Sequence, residues 1–174
     1  LTIRRAPIDF LEIELLKLEE MGLKVTRGQK YVGENKCVVL VDLVVEPSDL
    51  IAPTEKIAAQ PYPGLNIDNL PFFVPPATQA KGRTLIHDWV YESRAFYYAE
   101  LNKLGADVVL ADPHRAYITG ATQLAAADIT CPPALRPATI ILIGMLAAEG
   151  ESILRNVYPI NRGYENLHER LKLI

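Results

Sequence analysis

Gly82-Arg-Thr-Leu-Ile-His-Asp-Trp-Val-Tyr-Glu-Ser-Arg94 lies over Gly150-Glu-Ser-Ile-Leu-Arg-Asn-Val-Tyr-Pro-Ile-Asn-Arg162 at an offset of 68 residues, within a longer match of residues 82–105 to 150–173. Each copy reads as a glycine, an apolar strand-like run, an arginine and an amphipathic helix. A fixed period of this size signals one supersecondary unit used several times, with stacked copies sharing a core. The repeat decides the fold, and the arginine it returns to equivalent places raises the question of what the array holds.

Working outward, Pro7 at a first helical position, followed by Ile8, Leu11, Leu15 and Leu18, predicts a helix that Gly22 ends. Residues 36–45 are a β-rich run in which Cys37 alternates toward the core. Residues 47–63 carry four prolines and read as a connection with a short strand at 56–58. Residues 68–82 have the length of a helix, but Pro71, Pro75 and Pro76 each cost roughly 3 kcal/mol in a helix interior. A kinked or interrupted helix is expected there. Residues 84–91 predict a strand, and 96–104 a helix with Tyr98, Leu101 and Leu104 on one face, ended by Gly105. Residues 107–110 and 116–119 flank Asp112-Pro113 as a hairpin.

Residues 138–148 are apolar on every side, which marks an enclosed helix. That run is well short of the roughly 20 residues a membrane span needs, so protein must enclose it. Residues 152–158 predict a strand, and Tyr164, Leu167, Leu171 and Ile174 a closing helix. The expected fold is an inside-out α/β domain, helices within and sheets without. Its units run about 1–58, 59–125 and 126–174, the last incomplete.

With 49% hydrophobic and 22% charged residues the chain has the composition of a globular protein. A net charge of -3 gives no field for nucleic acid or an anionic membrane, so a basic site must be a focused cluster. Cys37 and Cys131 lack metal-ligand spacing and His87, His114 and His168 are scattered, so neither metal nor cofactor is expected. A reducing, cytoplasmic setting is the default. Arg4, Arg5 and Asp9 interrupt anything like a secretory leader. The chain opens on Leu1-Thr-Ile and closes on Leu-Lys-Leu-Ile174 inside a helical pattern, and reads as a piece of a longer protein.

The repeat offset aligns Asp68 with Arg136 and Arg94 with Arg162. Asp68 and Arg136 each precede a helix, where free N–H groups and the positive end of the dipole gather. An arginine there makes an anion site for carboxylate or phosphate. Repeat symmetry would bring the three arginines and Asp68 to one cleft. Taken singly, each arginine serves as well as a surface ion-pairing residue, and Asp68 as a helix cap. Cys131, before Pro132-Pro133, has no neighbouring base to make it a nucleophile. Trp89, Tyr91, Tyr97 and Tyr98 read as packing rather than as a stacking platform.

Asn161-Arg-Gly-Tyr-Glu-Asn-Leu-His-Glu-Arg-Leu171 resembles the closing signature of the UDP-N-acetylglucosamine 1-carboxyvinyltransferases, the enolpyruvyl transferases of peptidoglycan synthesis. Asp68 with Thr78-Gln-Ala-Lys-Gly82, Val90-Tyr-Glu-Ser-Arg94, Glu100-Leu-Asn-Lys-Leu-Gly-Ala-Asp107, Leu135-Arg136 and Ala147-Ala-Glu-Gly150 fall in that family's order and spacing. The resemblance implies two inside-out domains closing over substrate, of which this chain is most of the C-terminal one. It implies transfer of the enolpyruvyl group of phosphoenolpyruvate to the 3′-hydroxyl of UDP-N-acetylglucosamine. In that reaction Asp68 would meet the sugar hydroxyl as general base, and Val90 would touch the UDP-sugar through its backbone. Arg94, Arg136 and Arg162 would surround phosphoenolpyruvate and the closed cleft.

The chain departs from the family at Ala134, where an aspartate is usual, at Tyr97, where a histidine is common, and at the three prolines after Asp68. The family's loop cysteine and phosphate-contacting lysine belong to the N-terminal catalytic domain, so this chain is expected to be inactive alone. Its incomplete third unit would leave apolar surface for weak self-association. Two other readings stand: a silent nucleotide-sugar-binding or structural domain, and a transferase of the 5-enolpyruvylshikimate-3-phosphate synthase type.

Overall fold

A computed structural model describes residues 1–173. The chain begins with β1 (Thr2–Pro7), a 3-10 turn over Ile8–Phe10, α1 (Glu12–Glu20), β2 (Val25–Arg27), β3 (Tyr31–Val32) and β4 (Val39–Val45). β4 is the hub of this first sheet, pairing antiparallel with the other three strands. Pro7 therefore ends a strand instead of starting a helix. Ala6 and Ile8 are buried with Leu15, Val41 and Leu43 in a small core, and pairing with β4 overrides the helical periodicity. Leu11, at φ −123° and ψ −1°, breaks the expected helix. Cys37 is exposed in the turn before β4 and lies outside the strand and the core.

The second stretch runs β5 (Ile57–Ala58), a 3-10 helix over Leu70–Phe73, α2 (Val74–Gln79), β6 (Gly82–His87), a long 3-10 helix over Arg94–Leu104, β7 (Asp107–Asp112) and β8 (Arg115–Gly120). The sheet order is β5-β6-β8-β7, with β5 and β6 parallel and the remaining pairs antiparallel. The prolines interrupt the predicted helix at Val74. Pro71 falls in the first turn of the 3-10 helix, and Pro75 and Pro76 in the first turn of α2, where backbone N–H groups have no partner inside the helix.

The helix over Arg94–Leu104 is 3-10, not α as expected. Ala95, Tyr98, Leu101 and Leu104 are all buried, and their unbroken spacing of three fits a helix of 3.0 residues per turn, in which i and i+3 eclipse.

The last stretch comprises β9 (Asp128–Thr130), α3 (Leu135–Ala147), β10 (Ile153–Arg155), α4 (Tyr158–Gly163) and α5 (Leu167–Leu171), with β9 and β10 parallel. Two expectations fail here. The strand stops at Arg155 because Tyr158-Pro159 opens α4, and the closing helix is split at Asn166, whose φ of 47° is left-handed. Ile174, placed in that helix from its spacing, lies outside the described residues.

The helices sit inside. Val74 and Ala77 of α2, Tyr98 and Leu101 of the long 3-10 helix, and Ile140 and Ile141 of α3 share one core with the sheet residues Ile57, Ile86, Val108 and Ile118. Gly144 allows α3 to approach the 3-10 helix, since a Cβ there would stand 2.8 Å from Leu101 Cδ2. This is the inside-out α/β arrangement. Enclosure of α3 is not complete, because Leu146 in its last turn is 63% exposed.

The repeat is visible at its glycines. Gly82 and Gly150 both adopt positive φ, 113° and 94°, and a Cβ at either would stand 3.1 Å from the Cβ of Ala52 or Ala126. Ile86 pairs with Ile57 as Leu154 pairs with Ile129. Past that point the copies diverge. Arg94 opens its helix, whereas Arg162 is the penultimate residue of α4.

Candidate functional site

Asp68 stands two residues before the 3-10 helix over Leu70–Phe73. Its own N–H donates to Asn66 Oδ1 at 2.8 Å, and its carboxylate caps no helix. The carboxylate points instead at two guanidinium groups. Asp68 Oδ2 is 2.8 Å from Arg136 Nη2, and Oδ1 is 3.9 Å from Arg94 Nη1.

Arg136 is the second residue of α3 rather than a residue preceding it, and Ala134 at the N-cap supplies no side-chain hydrogen bond. A cation at a helix N-terminus opposes the dipole. Asp68 offsets that repulsion, and an incoming anion could do the same.

Arg94 is buried and largely committed. Its Nε donates to Asp88 Oδ2, its Nη2 donates to the carbonyl of Ile67 at 2.8 Å, and its guanidinium carbon lies 4.5 Å from the centre of the Tyr91 ring. Only Nη1 remains to face Asp68. Arg94 thus offers the cleft one edge, not the open fork that its place in the repeat suggested.

Asp88 is fully buried, and its Oδ2 accepts a second hydrogen bond, from the Tyr98 hydroxyl at 2.6 Å. Burial, then the Asp88 charge and this hydrogen bond, push the Tyr98 hydroxyl far up, so it stays a donor. Sequence reasoning missed both residues in this role. An acidic residue inside the run predicted as a strand was the available signal for Asp88. Tyr98 looked like core, which it also is.

Asp68, Arg94 and Arg136 line one cavity of about 280 Å³, together with Tyr91, Glu92, Tyr97 and Leu135. Val90 lines a neighbouring cavity of about 320 Å³ with Trp89, Tyr62, Pro61, Asn66 and Ile67. Ile67 and Val90 face one cavity and their neighbours Asp68 and Tyr91 the other, so the two abut. Trp89 is half exposed and held by a hydrogen bond from its Nε1 to the carbonyl of Ala59 at 2.9 Å.

Arg162 does not line the first cavity. Its guanidinium lies 6.0 Å from the Tyr158 ring on the exposed side of α4. α4 nevertheless docks on the first turn of α3, since a Cβ on Gly163 would stand 2.5 Å from Leu135 Cδ2.

The architecture is that of the enolpyruvyl transferases. The solved enolpyruvyl transferase NikO from Streptomyces tendae is 27% identical, with a TM-score of 0.75 over 99% of this chain and 38% of its own. An EPSP synthase from Acinetobacter baumannii, 17% identical, shares the fold at a TM-score of 0.77 over 99% of this chain and 40% of its own. The sequence profile of the family described as EPSP synthase (3-phosphoshikimate 1-carboxyvinyltransferase) matches residues 1–171, and the chain belongs to this family.

Within it, the chain is similar to curated UDP-N-acetylglucosamine 1-carboxyvinyltransferases. It is 43% identical to that of Treponema denticola over 126 residues, covering 72% of this chain and 29% of the relative. Against that of Porphyromonas gingivalis it is 45% identical over 121 residues, covering 68% and 28%. The Bacteroides fragilis enzyme is 34% identical over 177 aligned residues, covering all of this chain and 40% of the relative. The chain therefore spans less than half the length of the curated relatives it matches.

Proposed function

We propose that this chain is the C-terminal half of an enolpyruvyl transferase that moves the enolpyruvyl group of phosphoenolpyruvate to the 3′-hydroxyl of UDP-N-acetylglucosamine. One observation carries the reading: Asp68, Arg94 and Arg136 converge on one cavity in a chain this similar to enzymes of that name. In the proposed reaction Asp68 accepts the hydroxyl proton while the sugar oxygen bonds to carbon 2 of phosphoenolpyruvate and carbon 3, which receives the double-bond electrons, takes up a proton. Arg136, and Arg162 on a neighbouring helix, meet the carboxylate and phosphate charge of the adduct, and loss of a proton from carbon 3 then restores the double bond as inorganic phosphate leaves. Arg136 must exchange Asp68 for the incoming anion, which frees the carboxylate at the moment it is needed. Val90 and its apolar cavity sit beside Asp68 for the acceptor.

The N-terminal catalytic domain supplies the rest of the site, and the isolated chain is inactive. Exposed Leu146 and Ile153 make it self-associate weakly, which concentration-dependent sedimentation would reveal. Among the described residues no helix is long and apolar enough to cross a membrane. We assign the reaction to the cytoplasm, the compartment that free Cys37 and Cys131 suit.

The test is phosphate release from phosphoenolpyruvate plus UDP-N-acetylglucosamine by the full-length protein and its Asp68→Asn variant. Equal rates would remove Asp68 from its role. A second reading, a silent binding domain, draws support from the inward commitment of Arg94 and the uncapped start of α3 at Ala134. Binding of UDP-N-acetylglucosamine without turnover by the full-length protein would select it. Release of phosphate only with shikimate 3-phosphate would select instead the activity in the family's description.

A further inference from the structure

Among the described residues Asp88 is the one buried carboxylate beside the site, and the proposed chemistry has no use for it. It is 0% exposed, and of its two oxygens Oδ2 accepts from both Arg94 Nε and Tyr98 Oη while Oδ1 has no partner. A buried carboxylate with a bare oxygen is an expensive core residue, and well-packed apolar side chains in place of the whole Asp88–Arg94 pair would stabilise the fold about as well. What the carboxylate provides is geometry. Arg94 has a long, rotamer-rich side chain, and left to itself it would extend into solvent.

Three contacts remove that freedom: Asp88 on Nε, the Ile67 carbonyl on Nη2 and the Tyr91 ring on its face. The Ile67 contact ties the guanidinium to the residue next to Asp68, so the placement of Arg94 also fixes the segment that carries Asp68.

We propose that Asp88, with Tyr98 as its hydrogen-bond donor, is a positioning residue: it holds Arg94 so that a single guanidinium edge, Nη1, faces Asp68 and the anion cavity. Asp88 touches no substrate and acts only through Arg94. The role rests on the transferase reading for its consequence in turnover, but not for its geometry.

The test therefore has two readouts, both on the full-length protein with Asp88→Asn, Tyr98→Phe, Arg94→Ala and the Asp88→Asn/Arg94→Ala pair. Arginine-selective modification by phenylglyoxal, followed by peptide mass spectrometry, reads the geometry. Arg94 should be protected in the parent and modified at least about tenfold faster in Asp88→Asn, with Tyr98→Phe intermediate. Equal protection in all three overturns the proposal, whatever the protein catalyses.

Phosphate release reads the consequence. Asp88→Asn should lower kcat about tenfold or more, and the same change in an Arg94→Ala background should lower it by less than about twofold, because two residues acting as a unit are not additive. Additive losses would mean that Asp88 serves the fold alone and would overturn the proposal. Absence of phosphate release from the parent would sink the transferase reading, and the modification rates would still decide the role of Asp88.

Discussion

Among the described residues Asp68 is the acidic side chain of the cavity that pairs with guanidinium groups, with Arg136 at 2.8 Å and Arg94 at 3.9 Å. Replacing it by asparagine keeps the shape, removes the charge Arg136 pairs with and removes the proposed base. General-base removal typically costs about 10²-fold or more in rate, and kcat of the full-length protein should fall by at least that much. KM for phosphoenolpyruvate should fall or stay level, since Arg136 is then free for the anion. A raised KM with unchanged kcat would show that Asp68 binds substrate without taking a proton. Nothing in the repeat pattern separates Arg94 from Arg136 as a ligand-facing group; the contacts of Arg94 with Asp88 and Ile67 do.

Among the elements, α3 opens without a side-chain cap and with a cation in its first turn. Its N-cap is Ala134, with no side-chain hydrogen bond to the first turn, and Arg136 sits at the positive end of its dipole. Ala134→Asp should supply both the missing cap and a compensating charge, worth about 0.5–2 kcal/mol. In a protein of this size each kcal/mol moves the melting temperature by about 2–4 °C, so a rise of that order in a thermal scan is expected. No rise would mean that the backbone at Ala134 does not present a side chain to the free N–H groups. The same substitution places a second carboxylate beside Arg136, and it should weaken phosphoenolpyruvate binding even as it stabilises the helix.

Over the whole molecule, stability should fall with acid in two steps. Burial, then the charges of Lys56 and Arg115, holds His87 below its ordinary 6.5. The unfolded chain then takes up a proton first, so stability is complete above 6.5 and declines as pH drops through the window just below it. His87→Gln should abolish this step in melting temperature measured against pH. The second step comes from carboxylates. Asp112, mainly through the backbone N–H of His114, and Asp128, through Arg155, titrate below their ordinary 3.8. Glu19, through Arg27, titrates below 4.5. Stability from these pairs is present above those values and is lost as pH falls through the lower, folded ones. Asp128 is exposed and Glu19 and Asp112 are half-buried, so the ion-pair share of the second step should shrink in high salt while the backbone hydrogen bond to Asp112 persists.

Repeats and chain punctuation can be read from residue order alone. The 68-residue period marked Gly82 and Gly150, both of which adopt positive φ. The three prolines predicted a kinked or interrupted helix over 68–82, which the structure breaks at Val74, and the apolar run in α3 required helices on the inside. These features are local, set by backbone sterics and by hydrophobic period, and they survive any tertiary context.

Long-range packing set the rest. Pro7 ends a strand because β4 is there to pair with it, and the helix over Arg94–Leu104 winds as 3-10 because its buried line runs every third residue against α3. The site was legible as a set of residue types, Asp68 with arginines. Which guanidinium is tied inward depends on Asp88, Tyr98 and the Ile67 carbonyl. Those contacts join segments far apart in the chain, and no spacing along it encodes them.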